Sequence, residues 1–414
     1  MVSRYKAYQN TDLNWLGEVP AVWSLSRHKD HFSFITERCT NPTFKKVGLE
    51  NIESKTGKFI ESDSEFEGDG VEFKINDILF GKLRPYLAKV YLAEFEGNAV
   101  GDIFVYRAKN TLSPEFASYL MLSDRYIDVI NSSTAGAKMP RVGSSFIANL
   151  AVAVPNKHEQ KEIVSYLNKQ KKELDNKIEL LSIKAKHYEK LKQSLINEAV
   201  TRGLDKTLAM KDSGIEWIGE VPEHWEVKRV KELFSITRGR VIAQTELIDD
   251  GQFPVYSSQT VNNGCMGYIN TYDYDGDFIT WTTDGVNAGT VFLRSGKFNC
   301  TNICGILKLI SKNNLNYLYY ALEATTKHNK RLDTNGAKIM SNEMMFIKIT
   351  LPPLEQQKEI AEYLIEKTAK IDQIMSTINY QIEKLKELRK TLINDVVTGK
   401  IKVIQDDIGE GLAA

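Results

Sequence analysis

The sequence predicts an α+β fold in which two β-rich domains alternate with two long helices that pack as an antiparallel coiled coil, the whole forming a pseudo-two-fold internal repeat. Three observations predict it. The chain repeats itself at about half its length, the longest repeated block carries helical apolar spacing, and the segments between repeated blocks alternate like short strands.

With 414 residues the chain exceeds a single compact core and suits two to four units. Its first repeated block is Trp15-Leu-Gly-Glu-Val-Pro20 followed by Trp23, which returns 202 residues later as Trp217-Ile-Gly-Glu-Val-Pro222 followed by Trp225. Arg27 and Phe32-Ser33 recur as Arg229 and Phe234-Ser235. A short second block, Gly136-Ala137-Lys138, recurs as Gly336-Ala337-Lys338. The third block spans residues 154–204 and, at an offset of 197 without a gap, 351–401. It shares Pro155/Pro352, Gln160/Gln357, Lys161-Glu162-Ile163/Lys358-Glu359-Ile360, Tyr166-Leu167/Tyr363-Leu364 and Asp175/Asp372. Between these blocks, residues 40–130 and 240–330 barely resemble each other. A scaffold used twice to carry two different recognition surfaces produces that pattern, whereas a symmetric structural repeat would keep its middle constant.

In the third block apolar residues fall seven apart: Ile371, Ile378, Leu385 and Leu392, with Ile374 and Leu388 in the complementary positions. The first copy offers Leu174, Leu181, Tyr188 and Leu195 with Leu191. Each helix thus presents one narrow apolar seam on a charged surface, and its simplest partner is the other copy; two unrelated surface helices are the alternative. Pro155-Asn156 with Glu159 reads as a capping box, and Pro352-Pro353 fixes the other start. The expected boundaries are a first β-rich domain at 1–155, a central helical spacer region at 156–215, a second β-rich domain at 216–352 and a C-terminal helical spacer region at 353–414.

The first insert reads as strands at 71–75, 78–80, 89–92 and 103–107 followed by a helix at 114–130. The second gives strands at 278–282, 289–293 and 305–309 and a helix at 316–327. Lys+Arg 54 balances Asp+Glu 54, so any polyanion must be met by local patches rather than by a global field. Such patches exist. Residues 78–91 hold Lys82, Arg84 and Lys89 without one acid, residues 129–158 hold Lys138, Arg141 and Lys157 likewise, and 285–322 hold Arg294, Lys297, Lys308 and Lys312. The acidic stretch from Glu61 to Glu72 lies apart from them. Basic loops flanked by Thr, Asn, Tyr and Gly have the chemistry of DNA contact, with cations for phosphates and amides and guanidinium groups for base edges. Solvated loops are the plainer reading of each patch alone.

Catalysis finds no constellation. There is no phosphate-binding Gly-rich loop, the six histidines have no metal spacing, and Asn41-Pro-Thr-Phe44 lacks the second proline of an amino-methyltransferase motif. Cys39, Cys265, Cys300 and Cys304 are expected to be reduced thiols, since no second pair or nearby His completes a metal site. The N-terminal segment is polar and no apolar run approaches the ~20 residues that span a bilayer, so a cytoplasmic protein is expected.

The Trp-x-Gly-Glu-Val-Pro…Trp opening, the Gln-Lys-Glu-Ile…Tyr-Leu helix start and the Leu-Ile-Asn segments at 195–197 and 392–394 together resemble type I restriction-modification specificity subunits. Gly81-Lys-Leu-Arg-Pro-Tyr86, Trp281-Thr-Thr-Asp-Gly285 and Thr301-Asn-Ile-Cys-Gly305 are similar to segments of their target-recognition domains. The resemblance covers the whole chain. It implies two target-recognition domains, each reading half of a bipartite asymmetric site in double-stranded DNA. It implies further that two methyltransferase subunits dock on the chain, that restriction motor-nuclease subunits can join them, and that S-adenosylmethionine binds the partner, with no cofactor in this chain. The expected DNA contacts are Lys82, Arg84, Tyr86, Lys89, Lys138, Arg141 and Ser144 in the first domain, and Thr282, Thr283, Asn287, Lys297, Thr301, Asn302 and Lys338 in the second. A stand-alone DNA-binding regulator and an assembly scaffold with peptide-binding inserts remain alternatives. A spacer helix from 172 to 201 would be about 45 Å long, slightly more than the ~34 Å of one DNA turn.

Overall fold

The computed structural model describes residues 2–62, 68, 70–333 and 336–403. Part of the acidic stretch between Glu61 and Glu72, and the last residues of the expected C-terminal spacer region, lie outside the described residues. The chain divides into two compact units, Met1–Leu181 with Tyr380–Ala414, and Ser182–Asn379.

In the first unit a four-stranded antiparallel sheet runs in the order Phe32–Ile35, Ile103–Ala108, Asp77–Gly81, Val90–Leu92. In the second, Phe234–Arg238, Cys304–Leu309, Phe278–Thr282 and Val291–Arg294 take the same order. The strands Asp77–Gly81 and Phe278–Thr282 are interior to their sheets and buried along their whole length. A second sheet, three-stranded in the first unit and four-stranded in the second, is built in each around one parallel pair, Lys46–Val47 with Gly97–Ala99 and Phe253–Tyr256 with Lys297–Cys300. The inserts that differ in sequence therefore share a topology. Strand order follows from alternation and turn position, both of which survive changes in the exposed side chains.

The helix expected at 114–130 is two helices, Pro114–Leu122 and Asp124–Ser132. Ser123 between them is buried and extended (φ −66°, ψ 146°), and its hydroxyl donates to Leu120 O at 2.7 Å, offering the backbone an alternative to continued helix. The second unit keeps one helix there, Leu315–Thr326, capped by the Asn314 side chain.

The two long helices are Lys157–Arg202 and Leu354–Val397, of 46 and 44 residues, or about 69 and 66 Å at ~1.5 Å per residue. The first begins earlier than the apolar seam suggested, because Asn156 already caps it, its Oδ1 accepting from Glu159 N at 3.0 Å. The first unit holds the start of the first helix and the end of the second, and the second unit holds the reverse. Asp175 pairs with Arg389 in the first unit, and Lys192 pairs with Asp372 at 2.8 Å in the second. The pairs come in opposite order along the two helices, as antiparallel packing requires.

The row spaced by seven turns inward: Leu174, Ile371 and Ile378 are buried, and Leu181, Tyr188, Leu195, Leu385 and Leu392 half-buried. The complementary residues named from the sequence do not. Ile374, Leu388 (53% exposed) and Leu191 lie on the outer side, and the inner positions are taken by residues four rather than three further on, among them Ile178, Ala185, Met375 and Ile382. Apolar side chains flank the row on both sides, so spacing alone cannot choose the roll of the helix.

The repeated motifs turn out to be joints between helix and domain. Gln160 is fully buried; its amide donates to Thr111 O and Pro155 O at 3.0 and 2.9 Å and accepts from Ser113 N at 2.7 Å. Gln357 does the same with Asn313 Oδ1, Pro352 O and Asn314 N. Trp23 donates its indole N–H to Glu159 and Trp225 to Gln356, both in the first turn of a long helix.

Candidate nucleic-acid interface

In both units the loop after the central strand is laced to a second loop by backbone hydrogen bonds. In the first, Val142 N donates to Lys82 O (3.1 Å) and Arg84 N to Pro140 O (2.8 Å). In the second, Ile339 N donates to Thr283 O (3.0 Å) and Gly285 N to Ala337 O (3.1 Å). Arg141 and Lys338 are therefore structural equivalents, at the same offset of 197 as the long helices. The identical Gly-Ala-Lys tripeptides are therefore not one loop used the same way twice. One hairpin closes between Ala135 and Arg141 and the other between Arg331 and Lys338, one residue longer, so the two identical tripeptides occupy different places.

The paired loops of the first unit bring together Arg84, Tyr86 and Lys138, all exposed, with Arg84 in a left-handed backbone conformation (φ 49°). Arg141 is also exposed but makes a two-pronged contact with Asp102 at 3.1 and 2.9 Å, and Lys82 lies 3.7 Å from the same carboxylate and 5.3 Å from the Phe104 ring centroid. Hydrogen bonding from Arg141 holds the Asp102 carboxyl below the usual range despite its partial burial. Two cations thus share one anion. Ser144 is half-buried at the start of the short helix Ser144–Asn149. Lys89 turns inward, its ammonium donating to Leu49 O and Ile52 O at 2.6 and 2.8 Å, and burial pulls it below the usual lysine range. That ammonium braces the domain and is spent on its own backbone.

In the second unit Lys297 and Asn302 are exposed, with the Lys297 ammonium 4.4 Å from the Tyr272 ring centroid. Asn287 is half-buried and donates to Ser258 O at 3.1 Å, and Lys338 is half-buried 3.9 Å from Asp284. Thr282, Thr283 and Thr301 are corrected as contacts, because all three side chains are buried at strand ends. Thr283 hands its hydroxyl proton to Ile303 O at 3.0 Å.

Exposed apolar residues also stand beside these loops. They include Met139 and Phe146 in the first unit and Val286 and Leu332 in the second, Val286 being 95% exposed. Their only sequence signal is apolar character inside a Gly- and Asn-rich loop. The four cysteines are free, and among the described residues no group of three His, Cys, Asp or Glu side chains could hold a metal ion. No helix among them is long and apolar enough to cross a membrane.

A family model described as the type I restriction modification DNA specificity domain matches residues 31–184 and 222–384. The putative type I specificity subunit S.MpnORF285P of Mycoplasma pneumoniae is 38% identical over 143 residues, covering 34% of this chain and 47% of that protein. This chain thus spans about half the length of that relative. The type I restriction enzyme MjaVIII specificity subunit of Methanocaldococcus jannaschii is 24% identical over 425 residues, 93% of this chain and 94% of that one. A chain from a solved structure on complex assembly and conformational transition of the type I R-M system shares the fold with a TM-score of 0.70 at 19% identity, covering 92% of this chain and 98% of its own.

Proposed function

Because this chain belongs to the type I restriction-modification DNA specificity family, we propose that it is the non-catalytic specificity subunit of such an enzyme, each β-rich domain reading one half of a bipartite asymmetric DNA site. The observation that carries this reading is one domain topology built twice on a repeated frame while the exposed loops differ between the copies. A reader of two unlike half-sites needs that combination.

The contacts proposed are the exposed Arg84, Tyr86, Lys138 and Arg141 in the first domain and, in the second, the exposed Lys297 and Asn302 with the half-buried Asn287 and Lys338, Lys82 and Ser144 lying at the margin. Lys82 and Arg141 can exchange part of their bond to Asp102 for a phosphate, which suits backbone contacts, while the exposed Arg84 suits a base edge.

Two methyltransferase subunits are the proposed partners, each carrying its own S-adenosylmethionine, and restriction subunits join through them. Support comes from the outer faces of the helices, where Ile183 and Leu191 on one and Tyr380 and Leu388 on the other are exposed at repeat-related positions. Apolar residues exposed twice in one register fit two copies of one partner. Balanced net charge fits a subunit whose partners complete the grip on DNA.

The test is methylation mapping of a host with and without this chain beside its methyltransferase. A bipartite methylated sequence that depends on the chain is expected, and Arg84→Ala or Lys138→Ala should each weaken methylation there by about tenfold without changing the fold. Methylation that ignores the chain would refute the reading.

A further inference from the structure

A loop with no formal charge displays the best-placed side chains that the contact set leaves out. Residues 257–264, Ser-Ser-Gln-Thr-Val-Asn-Asn-Gly, follow the strand Phe253–Tyr256 in the second unit and contain no Lys, Arg, Asp or Glu. Their tip at 260–263 is exposed, Val261 by 66%. Asn262 and Asn263 both sit in the left-handed region, at φ 50° and 52°, where asparagine is tolerated better than most residues.

The loop is braced both by groups distant in sequence and by bonds between its own two ends. Arg294 Nη1 donates to Asn263 O at 2.8 Å, Asn287 Nδ2 to Ser258 O at 3.1 Å, and Ser257 N to Gly264 O at 2.9 Å. Gln259 also donates its amide to Cys265 O. Arg294 is 3% exposed, its guanidinium 3.5 Å from the Tyr256 ring centroid and 4.4 Å from that of Phe292, with Nε donating to the Thr280 hydroxyl at 3.2 Å. Among the described residues it has no carboxylate partner. A buried cation with aromatic walls and no counter-charge is costly to keep for stability alone. Its fork reaches the backbone of the loop tip, where rigidity is useful only if something is read there.

We propose that the 260–263 tip reads base edges in one half-site and that Arg294 is the residue that positions it, a proposal that rests on the DNA reading above. An uncharged tip has little to offer a phosphate. An asparagine amide matches the N6 donor and N7 acceptor of adenine, and a valine methyl meets the C5-methyl of thymine, so the tip fits A·T pairs in the major groove. Val286, fully exposed next to Asn287, extends the same apolar edge.

The test uses the full chain with its methyltransferase partner in a host free of other adenine methylation, with methylated sites read genome-wide. Asn262→Gly combined with Asn263→Gly keeps the left-handed turn and removes both amides. One or two positions of one half-site should then lose about tenfold to a hundredfold of their A·T preference, with the other half-site unchanged. Arg294→Lys keeps the charge but loses the fork and the stacking; it should relax the same positions while the melting temperature holds. Wild-type discrimination in the double-glycine variant overturns the proposal. A uniform loss of methylation with a lower melting temperature in Arg294→Lys overturns the positioning role. A wild-type chain that directs no bipartite methylation overturns the underlying DNA reading, and the proposal with it.

Discussion

His28 shows how a single buried group ties stability to pH. It is 1% exposed, stacked 3.9 Å from the Phe32 ring, and its Nε2 has no hydrogen-bond partner among the described residues. Burial, with a smaller contribution from neighbouring His31, lowers its pKa to about 3, against about 6.5 for an unfolded histidine. A folded pKa below the unfolded one favours the neutral form in the fold. The His28 contribution is therefore fully present above pH ~6.5 and is lost as pH falls toward 3, by up to about 1.4 kcal/mol per pH unit. Urea unfolding between pH 7 and 5 should show this slope, and His28→Phe, which keeps the stacking, should flatten it. An equally steep variant would refute the assignment.

Between the helices, the ion pairs related by the repeat differ in environment and therefore in consequence. Asp175 is mostly shielded and meets both Arg389 and Lys58, the latter at 3.0 Å, whereas Asp372 is about half exposed and, among the described residues, is paired with Lys192 alone. Burial opposes the charge on Asp175, but hydrogen bonds from Lys58 and Arg389 outweigh it and hold the carboxyl below its usual range. Its stabilisation is present above about pH 3.9 and disappears as pH falls through the depressed folded value. Asp175→Asn should lower stability by about 1–3 kcal/mol, since it strands two partly buried cations. Asp372→Asn should cost under about 1 kcal/mol because solvent already screens that pair. Chemical denaturation of the two variants side by side checks the asymmetry, and equal losses would contradict it.

For the molecule as a whole, the helices belong to both units at once, which makes their length a candidate for the distance between half-sites. Four residues inserted beside Ser182 add about 6 Å of helix. Mapping methylation with that variant should find a changed preferred spacer with both half-sites retained. An unchanged spacer would remove the ruler from the account.

The repeat, the two long helices and the strand-rich inserts were legible in the sequence because periodicity and turn chemistry are local. Trp23, Trp225, Gln160 and Gln357 stood out as repeated residues, but their work as joints needed the fold, since each has a partner more than forty residues away in sequence. The roll of the helices was not legible. Leu191, Ile374 and Leu388 are as apolar as Met375 and Ile382, and only packing against a second helix decides which side is dry. The interface divided in the same way. Charge marks Arg84, Lys138 and Lys89 alike, but only the fold places the Lys89 ammonium on two backbone carbonyls and buries Thr282, Thr283 and Thr301. The sequence by itself determined the twofold plan and the order of its parts, because those follow from the spacing of residue types along the chain. Only the tertiary structure decided which side chains meet solvent and which residues of the two copies correspond, because both depend on contacts between residues far apart in that order.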